Sequence, residues 1–149
     1  MMLIKRKMKL EYHIQSDRVH TIAYTFFRVL SGLLLMINGW SKWLALPDAS
    51  LDFPDPLGIG STFSIYLAIF SELICGLALV LGLMTRIASI PIVITFVVAV
   101  FLVHGNDPFD VKQTAMLYLI ASVYIIVQGS GRFSLDELIK SLDKGRTAQ

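Results

Sequence analysis

Four long apolar stretches set the pattern of this chain. The first runs from Thr21 to about Leu46 and contains Arg28. The second runs from about Ser61 to Thr85 and is interrupted only by Glu72. The third, Ile87 to His104, holds no charge between Arg86 and His104, and the fourth runs from Gln113 to about Gln128. Roughly 20 mostly apolar residues cover the ~30 Å of a bilayer's hydrocarbon. Backbone polar groups in lipid must be satisfied within their own segment, so apolar stretches joined by loops this short are helices. The pattern predicts an all-α integral membrane four-helix bundle without a heptad or a longer internal repeat.

A fifth element follows Gly131. Ser134 and Glu137 form a capping-box pattern, and Leu135, Leu138, Ile139 and Leu142 then fall on one helical face, with Asp136, Lys140 and Asp143 mostly elsewhere. That spacing predicts a short amphipathic C-terminal helix lying in the membrane interface; the plainer reading is a solvated tail with one helical turn. The chain thus divides into a basic N-terminal tail over residues 1–20, a four-helix domain over 21–130 and an interfacial tail over 131–149. The loop from Pro47 to Gly60 carries two prolines two apart, Pro54 and Pro56, which forbid a helix there. Its Leu51, Phe53, Leu57 and Ile59 predict a segment folded back over the helix ends, either a lid or a stiff connection.

Composition agrees with a membrane protein. Hydrophobic residues make up 55% of the 149 and charged residues 16%, against about 25% charged in soluble domains. The net charge of +2 is no nucleic-acid footprint, because the charges gather near the ends and no basic stripe alternates with aromatics. Their placement instead sets an orientation. Lys5, Arg6, Lys7, Lys9 and Arg18 precede the first span, Arg86 lies in the turn between the second and third, and Arg132, Lys140, Lys144 and Arg146 follow the fourth. The other two loops hold only Lys42 and Lys112, beside Asp48, Asp52, Asp55, Asp107 and Asp110. The excess of Lys and Arg marks the cytoplasmic side, so both termini are expected there. The basic N-terminus lacks the layout of a cleaved signal peptide, and the first span reads as a retained anchor.

Chemistry at membrane depth narrows the candidates. An ionisable residue inside a span costs at least about 2.5–3.5 kcal/mol and is a functional candidate by default. Arg28 shares a helical face with Ser31, Leu35, Asn38 and Lys42, bordered by Gly32 and Gly39. It either snorkels to the headgroups or faces other helices, as a polar, small-residue stripe does. Glu72 lies mid-span between Ala68 and Gly76, too deep for a short carboxylate to snorkel, so it is either protonated or paired with a cation. With Arg28 as the available intramembrane cation, an Arg28–Glu72 tether is one expectation, and a proton-accepting carboxylate beside a redox or transport site is the other. His104 shares the outer border with Asn38, Trp40, Lys42 and Trp43, which form either a small-molecule pocket or plain interfacial anchors. Tyr118 with Ser122, and Tyr124 with Gln128, read as interhelical hydrogen-bond pairs. No Cys-x-x-Cys or Cys/His cluster suggests a metal centre. His13, His20 and His104 offer no two-His haem site at one depth. Cys75, the single cysteine, reads as buried and inert. Phosphate-loop, dinucleotide and nucleophile-elbow motifs are not found.

Six elements in order carry a resemblance: Arg28 with Gly32, then Gly39-Trp40-Ser41-Lys42, Glu72 with Gly76, Gly82-Leu83-Met84-Thr85-Arg86, His104, and Gly129-Ser130-Gly131-Arg132-Phe133-Ser134-Leu135-Asp136. Together they resemble the DoxX family of small bacterial four-helix membrane proteins, related to the DoxD subunit of thiosulfate:quinone oxidoreductase. The resemblance implies an inner-membrane protein serving as the membrane subunit of a quinone-linked oxidoreductase. Quinone would enter from lipid and hydrogen-bond near His104 or Glu72, while a partner subunit supplies the electrons. Glu72 and Arg28 are then the candidate catalytic residues, and His104, Lys42, Asn38 and Trp40 the candidate outer-side binding residues. The chain departs from the family's pattern at Asn38 and at Lys112 and Gln113, all on the outer side. A scaffold that anchors a partner enzyme is the alternative, with a homo-oligomer or small transporter behind it, and whether the chain is itself an enzyme stays open.

Overall fold

The computed structural model describes residues 2–49 and 52–146, with side chains over 17–47 and 52–144. The side chains of Lys5, Arg6, Lys7, Lys9, His13, Asp48, Leu51 and Arg146 therefore lie outside the described residues. Among the described residues four helices are long and apolar enough to cross a membrane: Asp17–Pro47, Ser61–Leu81, Thr85–Val103 and Phe109–Gln128. The first belongs to one continuous helix, Met2–Ala49, so helical backbone extends through most of the N-terminal tail. A final helix spans Leu135–Arg146, and Glu137 N–H donates to Ser134 Oγ at 3.2 Å at its start, as the capping pattern predicts. Leu138, Ile139 and Leu142 are exposed along it. Among the described residues no strand is present.

Local chemistry moves two boundaries. The second span ends at Leu81, because Gly82 adopts the left-handed region at φ 69°. Leu83 N–H then donates back to Ala78 O at 2.9 Å and Gly82 N–H to Leu79 O at 3.2 Å, closing the helix end in the way a left-handed glycine permits. Arg86 consequently sits in the first turn of the third helix, Thr85–Val98, instead of in the turn before it. The fourth helix starts at Phe109, ahead of the apolar run, because Pro108 caps it with an extended backbone at ψ 155°.

Antiparallel packing of the first two spans rests on small residues. A Cβ at Gly39 would stand 2.7 Å from the backbone nitrogen of Leu73, and one at Gly32 would stand 2.8 Å from the Gly76 carbonyl oxygen. Such close backbone approach is how helices associate where lipid offers no hydrophobic drive. Leu35, Cys75, Leu79, Ala88, Ile92, Phe96 and Ile125 form the core between the spans. Large apolar side chains such as Phe26, Ile37, Phe101 and Val127 point outward, where hydrocarbon replaces water as their solvent.

The loop between the first two spans is ordered by a carboxylate. Leu57 and Ile59 are exposed, which corrects the expectation that they fold back over the helix ends; Phe53, of the same set, is half-buried. Asp55 instead accepts from Gly60 N–H at 2.7 Å, Ile59 N–H at 3.0 Å and Ser64 Oγ at 3.0 Å. These donors, Gly60 first, hold its pKa below the ordinary carboxylate range. A depressed folded-state pKa contributes order above the unfolded value, near 3.9, and that order is lost as pH falls through the lower folded value. Hydrogen exchange over residues 52–60 should therefore be faster in Asp55→Ala at pH 7 than in the wild type, and the two should converge only as pH falls through the lowered folded-state value. Equal exchange at pH 7 would show that the loop is held by something else.

Candidate functional site

The glycine register decides which polar groups meet. Gly39 packs against Glu72 and Leu73, and Gly82 packs beside the Arg28 guanidinium. Arg28 is thus level with a residue ten positions beyond Glu72, roughly 15 Å along the axis. Lys42 is three residues past Gly39, roughly 4.5 Å, so its flexible stem spans the offset to Glu72. The Arg28–Glu72 tether is accordingly not formed. Lys42 Nζ lies 2.5 Å from Glu72 Oε2 instead. The signal for this pairing was present in the sequence, since Lys42 shares the polar face with Asn38; what was missing was the register.

The Lys42–Glu72 pair is asymmetric. Glu72 is 4% exposed in its side chain and Lys42 31%, so the carboxylate is enclosed while the lysine side chain is partly exposed. Glu72 occupies the middle of a π turn, Phe70–Ile74, in which Cys75 N–H bonds to Phe70 O. Turns of this kind often mark functional sites within helices. Beside it, Thr95 Oγ1 donates to Ser71 Oγ at 2.8 Å and Ser71 Oγ to Ala68 O at 3.0 Å, linking the third span to the turn. Asn38 Nδ2 donates to Tyr118 OH at 3.0 Å, and the Tyr118 ring stacks on Phe96 at 5.1 Å. Lys42, Glu72, Asn38 and Tyr118 therefore bring three spans together in one polar layer.

Other predicted residues fall elsewhere. Trp40 and Trp43 are exposed near the C-terminal end of the first span. His104 follows a second π turn, Ala99–Val103, and its Nδ1 lies 2.8 Å from Asp107 Oδ2 in the adjoining loop. Lys112 Nζ donates to Gly105 O in that loop at 3.1 Å. The expected interhelical pairs within the fourth span are intrahelical: Ser122 Oγ donates to Tyr118 O at 2.6 Å, and Gln128 Nε2 to Tyr124 OH at 3.1 Å. The four-residue spacing of each pair puts both members on one face of one helix, and Tyr118 spends its hydroxyl on Asn38.

Arg28 forms a second polar layer at the opposite end of the bundle. It is 1% exposed, which settles the choice between snorkelling and the interior. Its guanidinium donates to the carbonyl oxygens of Leu79, Val80 and Phe133. Two of these acceptors close the second span, where the helix dipole places partial negative charge. The segment after the fourth span docks on the same spot. Asp136 Oδ1 accepts from Met84 N–H at 3.0 Å, and Asp136 N–H donates to Gly82 O at 3.2 Å. Met84 holds a left-handed φ of 43°, which this contact helps to fix. Tyr24 OH donates to Gly129 O nearby. The motifs around Arg28, Gly82–Arg86 and Gly129–Asp136 are thus one knot, and sequence reading missed it because each is silent alone. Its chemistry is that of a stitch: a charge whose two terminal nitrogens donate to backbone carbonyls while its buried Nε has no partner among the described residues, and with no carboxylate in ion-pair range among them. Among those residues no group of His, Cys, Asp and Glu could hold a metal ion.

Comparison with known proteins adds a family and a few relatives. The DoxX family model matches residues 23–105. An uncharacterized protein of Haemophilus influenzae is 30% identical over 127 residues, covering 81% of this chain and 80% of its own. An uncharacterized membrane protein of Mycobacterium tuberculosis is 29% identical, covering 81% and 82%. A Bacillus subtilis protein with the name "Putative oxidoreductase CatD" is 28% identical, covering 79% and 87%. No solved structure matches the chain significantly.

Proposed function

The chain belongs to the DoxX family, and on that premise we propose that it is the membrane subunit of an oxidoreductase system that reduces a quinone drawn from the lipid. The buried Lys42–Glu72 pair carries this reading, because it is a proton-bearing group held at membrane depth with only its cationic member reachable. The name of the Bacillus subtilis relative supports the reaction class.

In this reading the Lys42 ammonium donates a hydrogen bond to one ring carbonyl of the quinone, which approaches between the outer ends of the first and second spans. Glu72 is the counter-charge that keeps Lys42 aimed inward, and Asn38 with Tyr118 bounds the layer on its other side. A partner oxidoreductase supplies two electrons. Two protons complete the quinol: Lys42 gives one to the oxygen it holds, and water at the outer border gives the second. A further proton from that water restores the Lys42–Glu72 pair.

Trp40 and Trp43, exposed at the same end, are the reporters. A short-chain, water-soluble quinone added to protein in mild detergent should quench their fluorescence saturably. Lys42→Met should weaken that binding about tenfold, the loss of one hydrogen bond from a charged donor. His104→Ala should leave it unchanged, since that ring is engaged with Asp107. Non-saturable quenching that is identical in wild type and Lys42→Met is partitioning into the micelle, and it overturns the quinone site in favour of a non-catalytic scaffold.

The same reading places both termini in the cytoplasm of a bacterial inner-membrane protein. The support is the charge count, ten Lys and Arg on that side against Lys42 and Lys112 on the other. Reporter fusions after residue 149 and within the 52–60 loop should report inside and outside respectively; an outward C-terminal reporter reverses the model.

A further inference from the structure

A cavity of about 240 Å³ opens at the Arg28 end of the bundle, between the start of the first span and the end of the fourth. Asp17, His20, Tyr24, Gln128, Gly131 and Arg132 line it. Nothing in the quinone chemistry uses it, and it lies at the far end of the first span from Lys42.

Two features of its wall define a ligand. Beside His20 it carries one acid, Asp17, and one permanent cation, Arg132, and neither of these two forms an ion pair with another described residue. A simple anion would meet the Asp17 carboxylate, and a simple cation would meet the Arg132 guanidinium. A zwitterion satisfies both. The position supplies the second feature: Asp17 and His20 lie just before the apolar run that begins at Thr21, so the cavity sits at headgroup depth. Directly above it, toward the hydrocarbon, Tyr24, Phe27 and Tyr124 form an edge-to-face cluster, with ring centroids 5.9 Å and 5.5 Å from Tyr124. Val19, Ile22 and Val127 are exposed apolar residues at the same end of these two spans. The volume falls below the roughly 300–1,000 Å³ of pockets that enclose whole drug-sized ligands. It suits a compact headgroup whose chains stay outside on an apolar surface.

We propose that this cavity binds the headgroup of a phosphoethanolamine lipid, with the phosphodiester on Arg132 and the primary ammonium on Asp17. Arginine's planar fork suits a phosphate oxygen pair, and a primary ammonium keeps three N–H donors for a carboxylate. A quaternary ammonium has none, and a glycerol headgroup has no cation.

Native mass spectrometry of the full chain in mild detergent tests this, with phosphatidylethanolamine, phosphatidylglycerol and phosphatidylcholine of identical acyl chains. The wild type should retain phosphatidylethanolamine about tenfold better than the other two, the worth of one charge-assisted hydrogen bond. Asp17→Asn should abolish that preference, and Arg132→Gln should reduce retention of phosphatidylethanolamine and phosphatidylglycerol together. Both side chains are exposed, so the variants test recognition without disturbing the core. Equal retention of the three lipids by the wild type overturns the proposal, as does a preference that survives both substitutions. Soluble glycerophosphoethanolamine should compete only at far higher concentration; displacement at equal concentration overturns the lipid as the ligand.

Discussion

Arg28→Ala is expected to be the most damaging single substitution in the bundle, at about 3–5 kcal/mol of unfolding free energy. The loss is not that of an ion pair. The guanidinium donates to the carbonyls of Leu79, Val80 and Phe133 at once; removing it leaves Leu79 O with Gly82 N–H alone and deprives the partly buried Val80 and Phe133 oxygens of this donor, at about 1–3 kcal/mol each. Some relief comes from water entering the space it vacates, which caps the sum. Arg28→Lys should recover little, because an ammonium is a point donor and cannot reach two chain segments in the fork geometry. Thermal unfolding in mild detergent measures both. A shift for Arg28→Ala no larger than that of a surface change such as Lys140→Ala would remove Arg28 from its place at the centre of the knot.

Gly39→Ala should come next, at about 1–3 kcal/mol for overpacking. The added Cβ would stand 2.7 Å from Leu73 N and 3.1 Å from the Glu72 carbonyl carbon. Both are backbone atoms, so the helices must part; no side chain can turn aside. Parting them also draws Lys42 away from Glu72, and saturable quinone quenching should weaken in the same variant. Gly58→Ala is the matched control. Its Cβ would meet open space, so its cost is only that of a left-handed φ of 68°, about 1–2 kcal/mol, with quenching intact. Wild-type stability in Gly39→Ala would show that the register is set by something other than backbone contact at this glycine.

The two substitutions separate what is structural from what is chemical among the intramembrane charges. Arg28 has its partners in the main chain, and its neighbours belong to the turn and tail that close one end of the bundle. Glu72 has its partner in a side chain that reaches the surface. Double replacement of Lys42 and Glu72 by methionine fits this division: a buried ion pair exchanged for apolar groups of similar size is often neutral in stability, while the proton-bearing function would vanish.

Much of this architecture was legible in the residues themselves. Apolar length alone determined four membrane-spanning helices, because lipid leaves a backbone no other way to satisfy its polar groups. Helical spacing determined that Arg28, Asn38 and Lys42 share a face and that the tail after Ser134 is amphipathic, since both follow from the 3.6-residue repeat within one segment. The interior placement of Arg28 was one of two readings, and the polar, small-residue character of its face pointed to the one observed.

Pairing between segments was decided only by the tertiary structure. Whether Glu72 meets Arg28 or Lys42 depends on the axial register of two antiparallel helices, and a difference of about 10 Å in that register exchanges the partners. The register is set where Gly32 and Gly39 let one backbone rest on another, a contact that no intrasegment period encodes. The same holds for Phe133 and Asp136, whose roles appear only when the chain returns after the fourth span to cover the Arg28 end. Residues within a helix are related by its repeat, whereas residues on different helices are related by packing, and packing is a property of the assembled bundle.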